Sequence, residues 1–294
     1  MKYVDIEQVQ KKMNSRVLIN KLAKSLFLLS ALFGLVILVI LIGQVFIQSF
    51  GWIDMNFLTG KFSNDPNKAG IMGAILGTLW LMAVVAPVTM FLGVGTAIYL
   101  EEYAKKGKVR SFIQTNISNL AGVPSVVFGI LGLTIFVRNF DLGSVVLAGG
   151  LTMSLLVLPI VVVASQEAIR AVPQYLREAS YAMGATKWQT VKNVVLPASL
   201  AGILTGLILS LSRAIGETAP LVVLGIPALL IPFPGDILDR FTVLPMQIYY
   251  WTIDSALVAE YANLAAATIL VLLVVLFTMN SIAILIRNKF QKRF

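Results

Sequence analysis

Six long apolar runs constrain the fold of this chain more than any other feature. A helix needs about 20 apolar residues to cross about 30 Å of hydrocarbon. Hydrophobic residues make up 58% of the 294 positions and charged residues only 13%, which is too apolar for a soluble domain of this size. We therefore predict an all-α membrane protein with six transmembrane helices: Leu26–Gln48, Ile71–Leu100, Ile117–Val137, Gly143–Ser165, Pro197–Leu224 and Ala262–Ile286.

The basic residues lie mainly on one side of these predicted spans. Of the 23 Lys and Arg residues, 18 fall in the N-terminal segment, the loop after the second span, the polar insert after the fourth span, and the C-terminal tail. The positive-inside rule then places both termini and the insert in the cytoplasm. The net charge of +9 is thus a topology signal. No basic patch is interleaved with stacking aromatic residues, so we expect no nucleic-acid partner.

The pattern divides the chain into a short arm and one large domain. Residues 1–25 are predicted to form a basic, helical cytoplasmic arm that contacts the membrane surface. Residues 26–294 form the transmembrane domain, with a core at about 70–287 and a cytoplasmic insert at 170–197. The first span exceeds the apolar length of a cleaved signal peptide and is expected to remain as an anchor. The Pro-rich segment Ile226–Glu260 is predicted to be an extracytoplasmic lid, partly re-entrant, topped by Tyr249, Tyr250 and Trp251.

The residue inventory excludes several kinds of chemistry. The chain has no Cys and no His, which rules out zinc sites built on these residues, His-ligated haem, thiol nucleophiles and Ser-His-Asp catalysis. No Gly-Lys pair is followed by Ser or Thr, so a Walker A loop is missing. We predict no catalytic residue, no metal and no cofactor on this chain. If transport is driven by ATP, a separate ATPase subunit must bind the ATP-Mg.

The polar insert between the fourth and fifth spans has the pattern of a docking knob. Pro173–Met183 is rich in helix formers, Gly184 suits a left-handed helix stop, and a second short helix is predicted over Lys187–Val195. The face formed by Ala179, Ala182 and Met183 is suited to a partner's cleft, with Arg177 and Glu178 at its rim. The alternative is an ordinary solvated loop on the membrane surface.

Two charged residues, Arg213 and Glu217, fall inside the fifth predicted span. At 1.5 Å per residue from Pro197, Arg213 lies about 24 Å along the helix and Glu217 about 30 Å, near the outer boundary of the hydrocarbon. Their spacing of four residues puts both on one helix face, where they can form an ion pair. One interpretation is a self-neutralising structural pair. The other is that Arg213 faces a translocation path and offers donors to an oxyanion while Glu217 orients it.

Small residues in the second and third spans also have a structural interpretation and a pathway interpretation. Gly129 and Gly132 follow the segment 121–125 in the third span, and Gly70, Gly73 and Gly77 begin the second. We expect close helix packing at these positions. A glycine-rich turn that lines a pathway is the alternative in the third span, because Pro124 frees a backbone carbonyl that needs a partner.

The insert resembles the EAA loop of bacterial ABC importer permeases. That motif reads Glu-Ala-Ala, three residues, Gly, nine residues, Ile, one residue, Leu-Pro; here Ser180 replaces the second Ala, Val194 replaces the Ile, and every spacing is kept. The resemblance implies the MetI-like fold of type I ABC importer permeases. It also implies that the insert couples to the ATPase through these motif residues: Glu178, Ala179, Ser180, Gly184, Leu196 and Pro197.

Two further stretches narrow the resemblance. AGVPSVVFGI from Ala121 and SRAIGETAPL from Ser212, together with six spans, are similar to the permeases of phosphate-specific ABC importers, PstA and PstC, over roughly Gly70–Arg287. The small first external loop, Gly51–Ala69, favours the PstA type. The resemblance implies that Arg213 and Glu217 take part in phosphate passage and that the chain lies in the bacterial inner membrane.

The same resemblance implies a set of partners. These are a PstC-like sister permease, two PstB-like ATPase subunits and an extracytoplasmic PstS-like phosphate-binding protein. Membrane lipid is the further partner of the chain, and no nucleic acid is expected. Sulfate, molybdate or phosphonate remain open as substrates because all are oxyanions, and the PstC type remains open as the subunit. A secondary transporter would need ion coupling instead of an ATPase. An intramembrane enzyme would need Ser-Lys chemistry, but no predicted span contains Lys.

Overall fold

A computed structural model of the chain describes residues 6–227 and 233–290. This part is helical, apart from one isolated antiparallel bridge between Val145 and Arg240. An all-α fold follows from the bilayer, because a helix satisfies all of its backbone hydrogen bonds within one segment. The helices are α1 (Ile6–Ser49), α2 (Met55–Thr59), α3 (Met72–Tyr103), α4 (Lys108–Leu120), α5 (Ser125–Asn139), α6 (Val146–Arg170), α7 (Gln174–Ala182), α8 (Lys187–Gly216), α9 (Ala219–Val223), α10 (Leu244–Asp254) and α11 (Glu260–Phe290).

Five of these helices are long and apolar enough to cross a membrane, namely α1, α3, α6, α8 and α11. The bent pair of α4 and α5 makes a sixth crossing when counted as one span. The predicted all-α fold is therefore confirmed. Helix α1 begins at Ile6, so the basic arm is helical where it is described and continues into the first span. Residues 1–5 of that arm, and 291–294 of the basic tail, lie outside the described part.

The third predicted span, Ile117–Val137, is wrong as a single continuous helix. Helix α4 ends at Leu120, α5 begins at Ser125, and the two axes differ by 104°. Pro124 stands just before α5 with non-helical backbone angles, a position near a helix start that proline favours over a helix interior. The chain therefore turns at Ala121–Pro124, and the C-terminal part of the expected span belongs to α5 alone.

The fifth predicted span, Pro197–Leu224, is wrong at both ends. Helix α8 already begins at Lys187, so the predicted short helix Lys187–Val195 is its first part and not a separate element. It ends at Gly216, because Pro220 has no N–H to donate to the carbonyl of Gly216. A π-helical stretch at Val191–Val195 precedes Pro197, where the missing proline N–H leaves the helix to widen.

The core of the bundle is built around α6, which contacts both α3 and α8. Its two ends are buried against α3 and α5, and glycines allow the closest approaches. A side chain at Gly129 of α5 would meet the backbone of Pro220 at 2.8 Å. A side chain at Gly132 would collide with Thr152 of α6, and one at Gly77 of α3 with the carbonyl oxygen of Thr242. Gly129 and Gly132 therefore serve helix packing, and Gly77 lets α3 pack against the segment before α10.

The segment after α9 covers the end of the bundle opposite the polar insert. Helix α10 packs against α11, and Trp251 is fully buried with its ring 6.3 Å from those of Phe57 and Phe62. Trp251 thus belongs to the core, and the expectation that it tops the lid beside Tyr249 and Tyr250 is wrong. Residues 228–232 of this segment, which was predicted to be partly re-entrant, lie outside the described residues.

Candidate coupling and pathway sites

The polar insert folds as two helices separated by a glycine, as predicted. Helix α7 ends at Ala182, and Gly184 follows with a φ of +81°, a backbone conformation that favours glycine. Thr186 then caps α8 in a capping box: the backbone N–H of Gln189 donates to Thr186 Oγ1, and the backbone N–H of Thr186 donates to Gln189 Oε1 at 2.8 Å. We call residues 173–190 the knob.

One face of the knob is exposed and has the character of a docking surface. Glu178, Ala179 and Gly184 are exposed, and Met183 exposes 88% of its surface. Large apolar side chains that point to solvent are typical of an interaction surface when they cluster. The knob also exposes three aromatic residues: Tyr175, Tyr181 and Trp188.

The remaining motif residues face the body of the protein. Ser180, the residue that departs from the EAA pattern, has its Oγ 2.9 Å from Oγ1 of the buried Thr190, which joins α7 to α8. Leu196 and Pro197 are half-buried where α8 enters the bundle. The motif thus divides into an exposed face and a set of residues that hold the knob on α8.

Arg177 is buried in the root of the knob and not at its rim, where it was predicted. Its guanidinium donates to Glu102 Oε1 from Nη2 at 3.0 Å and from Nε at 3.2 Å. It also donates to the carbonyl oxygens of Val172 at 2.7 Å and Ile169 at 2.9 Å. The side chains of Arg177 and Glu102 are only 12% and 8% exposed. Arg177 therefore connects α7 to the end of α3 and to the end of α6.

A second carboxylate, Glu101, holds the neighbouring ends together. It accepts hydrogen bonds from Arg170 at 2.7 Å, from Gln166 at 2.9 Å and from Arg110 at 3.1 Å. These residues come from α6 and α4, so three helix ends meet at one carboxylate. Sequence reasoning missed Glu101 and Glu102. Two adjacent acidic residues at the end of a span, among many basic loops, are the signal from which this cluster was predictable.

A polar cavity of about 360 Å³ lies between the knob and the end of α3. Glu102, Arg177 and Lys187 are among its lining residues. Lys187 Nζ also lies 5.2 Å from the centre of the Tyr103 ring, within the range of a cation–π contact. The cavity leaves space beside the polar contacts that join the knob to the end of α3.

Arg213 and Glu217 lie at the opposite end of the bundle and form the predicted ion pair. Arg213 Nε is 3.3 Å from Glu217 Oε1, and the two side chains are 56% and 19% exposed. Glu217 does not continue the helix, since α8 ends at Gly216 and Glu217 has extended backbone angles. Ser212, the residue before Arg213, donates a hydrogen bond to Asn280 Oδ1 of α11 at 2.7 Å. The pair therefore sits at a helix end and makes a single long contact.

No group of three or more acidic residues that could hold a metal occurs among the described residues. The arrangement contains two separate polar sites on opposite ends of an apolar bundle. One is a knob fastened to several helix ends, and the other is an exposed arginine with a weakly held carboxylate. Such an arrangement suits movement of the knob at one side of the membrane and contact with an anion at the other.

Known proteins share both the sequence and the fold. Residues 90–293 match the family model described as "Binding-protein-dependent transport system inner membrane component". The chain is 31% identical to a phosphate transport system permease protein PstA of Yersinia pestis, over 95% of this chain and 93% of that protein. It is 36% identical to the probable ABC transporter permease protein YqgI of Bacillus subtilis, over 71% of each chain.

Among solved structures, a chain of a bacterial ABC transporter for import of the polysaccharide alginate superposes with a TM-score of 0.64 at 18% identity, over 96% of this chain and 100% of that one. A chain of the MetNI methionine ABC transporter superposes with a TM-score of 0.59 at 17% identity, over 76% of this chain and 96% of that one. At this identity the structures establish the fold, which is that of MetI-type importer permeases. The chain is therefore a multi-pass, non-catalytic membrane component that belongs to the binding-protein-dependent transport permease family, in its PstA-type branch.

Proposed function

We propose that this chain is one of the two permease subunits of an ATP-driven importer of inorganic phosphate. The observation that carries the proposal is the exposed guanidinium of Arg213 at the end of an apolar span. A cation at such a place is costly unless water or an anion reaches it. Several relatives of this chain carry phosphate transport in their names, which makes phosphate the anion of first choice.

In this function Arg213 binds phosphate, and Glu217 pairs with Arg213 when no phosphate is bound. The single 3.3 Å contact between them is weaker than the forked, charge-assisted contact that a guanidinium makes with a phosphate oxyanion. Phosphate therefore competes for Arg213, and Glu217 recovers the arginine when the anion leaves. The carboxylate keeps the site from holding phosphate so tightly that it cannot be released.

The knob couples the permease to its ATPase. Glu178, Ala179 and Gly184 on its exposed face contact a cleft of a PstB-like ATPase subunit, while Ser180, Leu196 and Pro197 hold the knob on α8. ATP-Mg is bound by the ATPase, and this chain binds no cofactor. Closure of an ATPase dimer moves the knob, and the bundle alternates between outward and inward access.

The remaining partners complete the importer. A PstC-like sister permease covers the face that contains Arg213, so that the path lies between the two permeases. A PstS-like binding protein delivers phosphate on the extracytoplasmic side. With the knob in the cytoplasm, both termini of the chain are cytoplasmic, in agreement with the distribution of basic residues in the sequence. The membrane is the bacterial inner membrane.

Uptake of radiolabelled phosphate in the native host tests the proposal. A deletion strain, its complemented form and a strain complemented with Arg213→Gln are compared at micromolar phosphate, with excess sulfate, molybdate or phosphonate as competitor. The proposal requires uptake that depends on the chain and ignores the competitors. Unchanged uptake in the deletion strain would contradict it, and inhibition by one of the other oxyanions would make that ion the substrate.

A further inference from the structure

Arg177 makes the direct ion pair between the knob and the end of α3, beside a cation–π contact of Lys187 with Tyr103 and apolar packing of Leu176. The exposed face of the knob is free of the bundle, and Arg177 reaches from the inner side of α7 to Glu102 with two hydrogen bonds. A polar cavity lies beside this ion pair. Of the routes by which a force on the knob can reach α3, the ion pair is the one with direct, charge-assisted hydrogen bonds; the cation–π contact, the packing of Leu176 and the longer route along α8 are the others.

Burial makes this pair costly to separate. With the two side chains only 12% and 8% exposed, loss of one partner would leave the other charge poorly solvated, with access to water through the polar cavity beside it. The exposed pair of Arg213 and Glu217 lacks this constraint. The buried pair is therefore suited to move as a unit with the two elements that it joins.

The position of Arg177 in the sequence connects this contact to the coupling face. Arg177 directly precedes Glu178, so the exposed motif glutamate and the buried arginine lie on different sides of the same helical turn. A displacement of Glu178 by a partner must displace Arg177 as well, because the two residues are neighbours in the same short helix, α7. Glu102 lies at the end of α3, which crosses the whole membrane.

We infer that Arg177 and Glu102 are positioning residues for coupling, through which movement of the knob is passed to α3. The inference rests on the proposed function, since it assigns a path to the movement that drives import. Helix α3 then shifts together with the knob, and α6 follows because Arg177 also holds the carbonyl oxygens at its end. The contact acts through other residues and touches no substrate.

The inference is tested by the number of phosphate ions carried per ATP in proteoliposomes that contain the whole importer. Glu102→Ala removes the link but leaves Arg177 on the carbonyl oxygens of α6, so we expect the ratio to fall about tenfold while ATP hydrolysis continues. Glu102→Gln keeps an acceptor oxygen and is expected to recover most of the ratio. Glu167→Ala is the matched control, because Glu167 pairs only with Arg170 in an exposed contact.

A second measurement follows the movement itself. The chain contains no Cys, so spin labels can be placed at Tyr175→Cys on the knob and Tyr99→Cys on α3, both of which are exposed. The distance between the labels should stay unchanged on ATP binding in the otherwise unaltered complex and change in Glu102→Ala. An unchanged transport ratio and an unchanged distance in Glu102→Ala would overturn the inference. A complex that moves as expected but carries no phosphate would overturn the substrate assignment instead.

Discussion

The two arginine–glutamate pairs of this protein have opposite designs. Arg177 and Glu102 are buried, joined by two hydrogen bonds, and supplemented by two carbonyl oxygens. Arg213 and Glu217 are joined by one contact at 3.3 Å, and more than half of the arginine side chain is exposed. A buried pair with further partners is costly to open, whereas an exposed single contact is worth little. If the proposed roles hold, an arginine and a glutamate form a mechanical link where they are largely buried and an exchangeable ligand site where the arginine is exposed.

The largest effect is expected from loss of the exposed arginine. Arg213→Gln removes the cation at the C-terminal end of α8 and should lower phosphate uptake about a hundredfold or more, since charge-assisted contacts are the strong ones. Arg213→Lys should retain part of the uptake as a point charge without the forked geometry. Uptake is measured in cells together with the amount of assembled complex in the membrane. Loss of assembly in Arg213→Gln would show that the pair is structural.

Breaking the buried pair should lower the stability of the protein more than breaking the exposed pair. Arg177→Gln leaves Glu102, whose side chain is 8% exposed, without its paired cation. Breaking a buried pair in this way costs about 3–5 kcal/mol, and the polar cavity and Lys187 beside Glu102 place this variant at the lower end of that range. Arg213→Gln leaves a carboxylate that water still reaches, and we expect a loss below about 1 kcal/mol. Thermal unfolding of the two purified variants in the same detergent compares them directly. Equal shifts of the two melting temperatures would remove the distinction between the pairs.

The shape of the knob should also affect phosphate uptake, because the knob carries Arg177 of the buried pair. Gly184→Val should lower phosphate uptake about tenfold, since a β-branched residue in the left-handed conformation costs about 1–2 kcal/mol or more. Gly184→Asn should be nearly normal, because Asn tolerates that conformation. No heavy atom lies within 4 Å of a side chain added there, so the difference reports backbone strain. Equal uptake in both variants would mean that the glycine is not needed for the turn.

The smallest effect is expected at the residue that departs from the family motif. Ser180→Ala restores the second alanine of the motif and removes the hydrogen bond to Thr190, which is worth about 1 kcal/mol. Phosphate uptake should stay within about twofold of the unaltered protein. Thr190→Val removes the same bond from the other side and serves as the matched variant. A large loss in either variant would mean that this bond, and not only Arg177, transmits the movement.

The sequence predicted the features that depend on one segment at a time. The all-α fold, the glycine break in the knob and the ion pair of Arg213 with Glu217 follow from local patterns, and all three appear in the structure, although the third and fifth spans differ from their predicted bounds. At Pro124 the sequence offered a turn only as the alternative to a continuous span, because the apolar run continues through it. The early end of α8 was missed for the same reason, although Pro220 marks it.

The buried link was not predictable in the same way. Glu102 and Arg177 are 75 residues apart in the chain, and their meeting depends on how α3, α6 and α7 pack. Local pattern placed Arg177 at an exposed rim, because a charged residue in a polar insert is usually solvated. The burial of Trp251 was missed for the same reason, since its partners Phe57 and Phe62 come from the first external loop.

The central claim is that Arg213 lies in a water-filled anion path and not against lipid or inside a structural pair. Because the chain has no Cys, Arg213→Cys can be exposed to a charged, membrane-impermeant thiol reagent in the assembled importer, whose other subunits are kept free of reactive thiols. Phe33→Cys on α1, an exposed apolar position, is the lipid-facing control. We predict that position 213 reacts, that nucleotide changes its rate, and that position 33 does not react. An unreactive position 213 in every nucleotide state would contradict the account.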